Sequence, residues 1–176
     1  MQIELINQPN NDYDTISQIL INRGIPKDNL HKYLNLSFND VYNPELLNED
    51  NLKKGLEAIL QTINNNKKAI LIVDCDCDGY TSAAVLINYL YCLFPTWVNN
   101  KLEIHFHESK QHGLKDCYDY IVTKDFSLVI CPDSSSNDYE QHKKLSEQNI
   151  QVLVLDHHLA SKDSEYAIVI NNQLSD

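Results

Sequence analysis

From Lys67 onward the sequence is a succession of five short, β-rich apolar runs: 69–73, 102–106, 128–131, 152–155 and 167–170. Longer segments of helical character separate them. Strands that alternate with helices need crossover connections, and crossovers build a parallel sheet. The predicted fold class is therefore α/β, a parallel β-sheet of about five strands flanked by helices, occupying residues 67–176. Residues 1–66 read as a helical, loop-rich N-terminal region. Ile16, Ile19 and Leu20 lie at helical spacing, and Leu52, Leu56, Ile59, Leu60 and Ile63 form a second apolar stripe closed by Asn64, Asn65 and Asn66.

The connecting helices carry their own signals. Thr81 or Ser82 is positioned to cap a helix through Val85, Leu86, Tyr89, Leu90 and Leu93, which Pro95 stops. Asn137 followed by Glu140 has the pattern of a capping box opening a polar helix through Lys143 and Lys144. No internal repeat stands out.

Composition narrows the function classes. No stretch approaches the roughly 18 apolar residues of a membrane span, and the N-terminus lacks the basic and apolar regions of a secretory signal. The expected location is the cytoplasm, without membrane association. The five cysteines include no Cys-x-x-Cys pair, so neither a disulfide framework nor a zinc-thiolate site is suggested, and mostly buried, reduced thiols are expected. A formal charge of −11 argues against broad electrostatic capture of nucleic acid. If DNA is the ligand, metal ions or additional chain must supply the positive field.

Chemistry concentrates where the apolar runs end. The first runs straight into Asp74, Asp76 and Asp78, the third into Asp133, and the fourth into Asp156, His157 and His158. Alternate side chains share a face in extended chain, so three Asp at a spacing of two converge if that geometry persists beyond the strand. Either Asp-x-Asp or His-His alone reads more simply as a solvated turn or as surface histidines. Together they favour a metal site, because the carboxyl ends of neighbouring strands form the ligand crevice of an open α/β sheet. Carboxylates suit Mg²⁺ or Mn²⁺, imidazole beside them moves the preference toward Mn²⁺, and Asp156 is placed to orient a neighbouring imidazole.

The segment from Asp74 to Ser82 resembles the first motif of the RecJ-type single-strand DNA exonucleases in the DHH phosphoesterase superfamily, and Asp156-His157-His158 matches that superfamily's signature. Weaker similarities accompany them in order: 20–25 to an early Arg-Gly segment, 43–47 to an Asp-Pro segment, and 105–109 with 111–114 to a segment ending in Gly-Tyr-Gly-Leu. The family offers an Arg in this last segment, where the present chain has Lys110 nearby. The resemblance implies two-metal hydrolysis of single-stranded DNA, from the 5′ end. Asp76, Asp78, Asp133 and His157 are then the metal ligands, with Asp74 near the first ion and Asp133 bridging the two. His158 contacts the scissile phosphate, and Asp156, Ser82 and Lys110 support the ligands or the phosphate.

The sequence departs from the family in two places. The family commonly reads Asp-x-Gly where this chain has Asp133-Ser134-Ser135, a serine-rich form similar to phage and prophage relatives. The family also continues past the segment resembling 171–176 into a further Asp ligand and a substrate-binding domain, so a chain ending here is expected to be weak or inactive. Two other readings stay open: a DHH hydrolase of short oligonucleotides, cyclic dinucleotides or pyrophosphate, and a non-catalytic DHH partner-binding module. The Asp-x-Asp-x-Asp opening favours the RecJ branch over the first, and retention of the ligand residues argues against the second. Cys75 and Cys77 are expected to point into the sheet, and the tyrosines at 89, 91, 118 and 120 read as packing residues before base-stacking ones.

Overall fold

The structure, a computed structural model, describes residues 12–37, 47–108 and 111–174. The chain forms two compact units, Met1–Tyr42 and Asn43–Asp176. The first contains α1 (Thr15–Asn22), a 3₁₀ turn (Lys27–Asn29) and α2 (Leu30–Leu34). Asp14 caps α1, accepting from the backbone N–H of Ile16 and of Ser17 and from the Ser17 hydroxyl.

The second unit opens with α3 (Glu49–Asn64) and continues through β1 (Lys68–Val73), α4 (Cys77–Leu93), α5 (Pro95–Lys101), β2 (Leu102–Phe106), α6 (Tyr118–Val122), β3 (Phe126–Pro132), α7 (Tyr139–Glu147), β4 (Gln151–Asp156) and β5 (Ile168–Asn171). The five strands form one fully parallel sheet in the order β2-β1-β3-β4-β5. This is the α/β architecture expected from the alternation of apolar runs, with four of the strands slightly longer or shifted at their ends.

Both faces of the central strands β1, β3 and β4 are buried, which is why these read as continuous apolar runs, whereas the edge strand β2 is partly exposed and carries Glu103 and His105. Ile70, Ile72, Val129, Cys131, Val152 and Val154 pack with Leu114, Ile121 and Leu145 on the face of α6 and α7. Ala69, Leu71, Val73, Leu128, Ile130 and Leu153 pack with Ala58, Ala83, Leu90 and Trp97 on the face of α3, α4 and α5. The face of α3 that is buried is formed by Asn51, Gly55, Ala58 and Thr62; of the predicted stripe Ile59 and Ile63 pack partly buried against the core, while Leu56 is exposed. Gly55 lets α3 approach closely, since a Cβ there would lie 3.0 Å from Leu153 Cδ1 and 3.1 Å from Ile170 Cδ1.

Local geometry departs from expectation at three points. The extended chain does not persist through the Asp-x-Asp-x-Asp segment: α4 starts at Cys77, four residues before Thr81, because Asp76 takes the cap position and accepts from Gly79 N at 3.0 Å. The Asn137 side chain does not cap α7 either. It donates to Leu159 O, while Asp138, the residue at the cap position, accepts from Leu114 N. Finally, Cys75, Cys77 and Cys92 are exposed and only Cys117 and Cys131 are buried. Cys75 and Cys77 lie beyond the last residue of β1, so the strand alternation that would have turned them inward has already ended. No helix among the described residues is long and apolar enough to cross a membrane.

Candidate metal centre

The sheet order fixes where a site can form. The connection leaving β1 passes over one face toward β2, whereas the one leaving β3 passes over the opposite face toward β4. Their carboxyl ends therefore open a crevice at a topological switch point, the usual ligand position in open α/β sheets. Asp74, Asp76 and Asp78 follow β1, Asp133 follows β3, and Asp156 ends β4 immediately before His157 and His158. Three chain segments distant in sequence thus deliver oxygen and nitrogen donors to one place.

Two groups of donors converge there: Asp74, Asp76 and Asp133, and Asp133, His157 and His158, with the donor atoms within each group no more than 4.8 Å apart. Asp133 belongs to both. His157 Nε2 lies 2.9 Å from Asp133 Oδ1 and 3.5 Å from Asp78 Oδ2, which draws Asp78 into the same cluster. The other carboxylate oxygen of Asp133 is buried with no hydrogen-bond partner among the described residues. Burial, followed by the charge of Asp78, pushes the Asp133 carboxyl above its ordinary range. A buried acid that is surrounded by acids and holds an unused oxygen is the environment a divalent cation relieves, and the mixed O and N donors fit Mn²⁺ or Mg²⁺.

Asp156 has a different task. Its side chain is 1% exposed and accepts from Ser136 N at 3.1 Å, His157 N at 2.7 Å, His158 N at 3.1 Å and His158 Nδ1 at 2.7 Å. Burial alone would raise its carboxyl, but the hydrogen bonds outweigh burial and hold it down at about 2. In turn, Asp156 raises the imidazole of His158. The carboxylate anchors the His-His loop and leaves little capacity for an ion.

The turn after β3 keeps the shape of a glycine turn without the glycine. Asp133 has φ of 74° and Ser135 has φ of 80°, a left-handed conformation that side chains disfavour. The turn is over-determined from several sides. Asp133 N donates to Leu155 O, Ser136 N donates to Asp156, and Asn171 Nδ2 donates both to Ser136 Oγ at 2.8 Å and to the backbone oxygen of His158 at 2.9 Å.

Of the remaining residues singled out from sequence, Ser82 donates its hydroxyl to Gly79 O within α4, and Lys110 lies outside the described residues. The structure adds three groups that sequence reasoning did not assign a role. His112 forms an ion-pair contact through Nδ1 with Asp74 Oδ2 and packs edge-on against His158 at 5.8 Å between ring centroids. Asn171, at the end of β5, ties the β3 turn to the His-His loop. His107, at the end of β2, is buried with both ring nitrogens lacking a hydrogen-bond partner among the described residues. His107 and His112 fall in the stretches 105–109 and 111–114 that resemble the family's segment ending in Gly-Tyr-Gly-Leu, so that similarity was the one signal available for them. Asn171 gave none.

Comparison with known proteins gives the family and the fold. The SPbeta prophage-derived protein of Bacillus subtilis (strain 168) named as a single-strand DNA-specific exonuclease, YorK, is 35% identical over 177 residues, covering 99% of this chain but 29% of its own length. The single-stranded-DNA-specific exonuclease RecJ of the same organism is 23% identical over 147 residues, covering 81% of this chain and 18% of its own. The present chain therefore spans less than a third of either relative. Exonuclease RecJ bound to manganese superposes with a TM-score of 0.59 at 20% identity, over 72% of this chain and 32% of that one. RecJ from Thermus thermophilus in complex with Mn²⁺ superposes with 0.56 at 18% identity, over 69% and 17%. Both superpositions show a shared fold. Residues 67–175 match the N-terminal domain of the DHH family, and the chain belongs to that family.

Proposed function

We propose that this chain carries the metal-dependent phosphodiesterase domain of a single-strand-DNA-specific exonuclease, working with two Mn²⁺ or Mg²⁺ ions in the cytoplasm and, by family resemblance, from the 5′ end. One observation carries the reading. Asp133, 4% exposed and with one carboxylate oxygen unpartnered among the described residues, is common to two converging sets of donors. A carboxylate shared in this way is what two adjacent cations require. The exonuclease names of the relatives and the manganese in the RecJ structures support the same substrate and ion.

In this reading Asp76, Asp78, Asp133 and His157 hold the ions, Asp133 between them, with Asp74 close to the first. Ions of this class activate water and stabilise charge developing on phosphoryl oxygens. His158 is the phosphate contact: Asp156 occupies its Nδ1 and favours its protonated form, leaving Nε2 as a charged donor. Asp156 orients the His158 ring and anchors the backbone of His157, and Ser82 and Lys110 support the ligands or the phosphate.

Calorimetric titration with Mn²⁺ tests the ligand set. The native chain should bind two ions, and Asp133→Ala should lose one or both; unchanged stoichiometry removes Asp133 from the scheme. Binding of long single-stranded DNA, a dinucleotide and pyrophosphate, each with Mn²⁺, tests the substrate class, with preference for the long strand expected. Preference for either small ligand would point instead to a small-substrate DHH hydrolase.

A further inference from the structure

Beside the metal centre runs a groove of about 640 Å³, within the range of small-ligand sites. Its inner end is made by Asp78, Asp133 and His157, the same groups that converge on the proposed ions. Away from that end the chemistry changes. Thr81, Ser82, Val85, Leu86 and Tyr89, from α4, and Pro132 and Leu155, from the ends of β3 and β4, line the rest, and the two hydroxyls already donate to carbonyl oxygens within α4. Among the described residues no Lys or Arg lines it.

The α4 residues follow from helical geometry. Asp78, Ser82, Val85, Leu86 and Tyr89 recur at one helical face, so the stripe climbs from the acidic cluster along the helix for about 16 Å of backbone. Side chains on a helix lean toward its N-terminus, which brings the Tyr89 ring back toward the cluster. Val85 is 71% exposed and Tyr89 64%, an open apolar surface that the packing role expected for this tyrosine does not explain.

We infer that this groove is a nucleobase subsite, an inference that rests on the phosphodiesterase reading and deepens it. A ligand whose phosphate lies at the acidic end must place its adjoining part along α4. A second phosphate is disfavoured there, since the chain carries −11 and the described lining offers no Lys or Arg. A bare sugar gains nothing from Val85, Leu86, Pro132 and Leu155. A flat, uncharged base buries apolar surface against them and stacks on Tyr89, an interaction tolerant of base identity. Affinity next to the metals then comes from stacking, as an acidic chain requires.

The test uses ligands with no phosphodiester bond to cleave: dTMP, deoxyribose 5-phosphate and inorganic phosphate, each titrated into the Mn²⁺-loaded chain. dTMP should bind about tenfold more tightly than deoxyribose 5-phosphate, the scale of one base stacked on one aromatic ring. Tyr89→Ala should erase most of that preference and Val85→Ser should reduce it, while Mn²⁺ and inorganic phosphate bind as before. Equal affinity for dTMP and deoxyribose 5-phosphate in the native chain, or a preference that survives both substitutions, overturns the subsite and leaves the metal centre standing. Failure of Mn²⁺ or inorganic phosphate to bind at all overturns the phosphodiesterase reading and the subsite with it.

Discussion

Replacing Asp156 by Asn probes the anchor beneath the two histidines with almost no change of shape. A carboxyl held at about 2, against about 3.9 in an unfolded chain, contributes about 2.5 kcal/mol to stability at neutral pH. The contacts give a similar figure by another route. The amide cannot accept from all the donors that Asp156 serves, and its NH₂ group would face either Ser136 N–H or the N–H groups of the His-His loop, leaving a donor unsatisfied at a cost of about 1–3 kcal/mol. These are two descriptions of one loss and are not added, so Asp156→Asn should destabilise the chain by about 2–3 kcal/mol.

The pH dependence follows from the direction of each shift. The folded value of Asp156 lies below the unfolded one, so its contribution is complete above about pH 5 and is lost as pH falls toward 2. The folded value of His158 is raised by the same ion pair, so its contribution is complete below about pH 6.5 and is lost as pH rises through the folded value. The difference between native and variant chains should be widest between about pH 5 and 6.5 and narrower on both sides. Urea denaturation followed by circular dichroism in EDTA, at pH 3, 5.5 and 8.5, measures it. A difference below about 1 kcal/mol at pH 5.5, or one that stays constant down to pH 3, would refute the anchoring role given to Asp156.

Other substitutions test separate parts of the site. At Gly79 an added Cβ would lie 2.6 Å from the backbone oxygen of Asp74 and 2.8 Å from its Cβ. Gly79→Ala should therefore destabilise by about 1–3 kcal/mol despite alanine's better helix propensity, and should weaken Mn²⁺ binding; equal or greater urea resistance with unchanged affinity would contradict that contact. Ser135→Gly relieves the positive φ but adds freedom to the unfolded chain, so a gain of about 0.5 kcal/mol is expected in the same assay, and a loss above about 1 kcal/mol would show that the Ser135 hydroxyl matters more than backbone strain. Burial pushes the Cys117 thiol up to about 12 and Cys131 well above its ordinary value. A thiol-specific chromogenic reagent at pH 8 should thus modify the exposed Cys75, Cys77 and Cys92 in the folded chain, and Cys117 and Cys131 only after denaturation.

The parts legible in the sequence share a physical basis. Burial of a parallel strand on both faces demands an unbroken apolar run, so β1, β3 and β4 stand out from residue type alone, while the edge strand β2 carries Glu103 and His105 and is legible by its place in the alternation; polar residues at the carboxyl ends mark where such a sheet opens to a ligand. That Asp74, Asp76, Asp133, His157 and His158 can meet was legible from their places at strand ends on the condition that those strands are neighbours, and the sheet order meets that condition. The route taken by the acids was not. Extended chain and a helix cap both place Asp76 near the sheet edge, and the choice fell to the cap because Gly79 N lies within reach of its carboxylate. Likewise, Asn137 and Glu140 matched a capping pattern, yet the Asn137 side chain went to Leu159 O and Ser161 N instead, through contacts more than twenty residues away.

By itself the sequence determined the class of fold, the order of its elements and the acids and imidazoles available at the strand ends, because these depend on periodicity and residue type along short stretches. Tertiary structure decided the rest: that β3 lies between β1 and β4, that Asp133 joins two donor sets, that Asn171 ties the β3 turn to the His-His loop, that His112 meets Asp74, and that Tyr89 borders an open groove. Each of these is a meeting of residues far apart in the chain, fixed by sheet order and packing, and no local pattern encodes them.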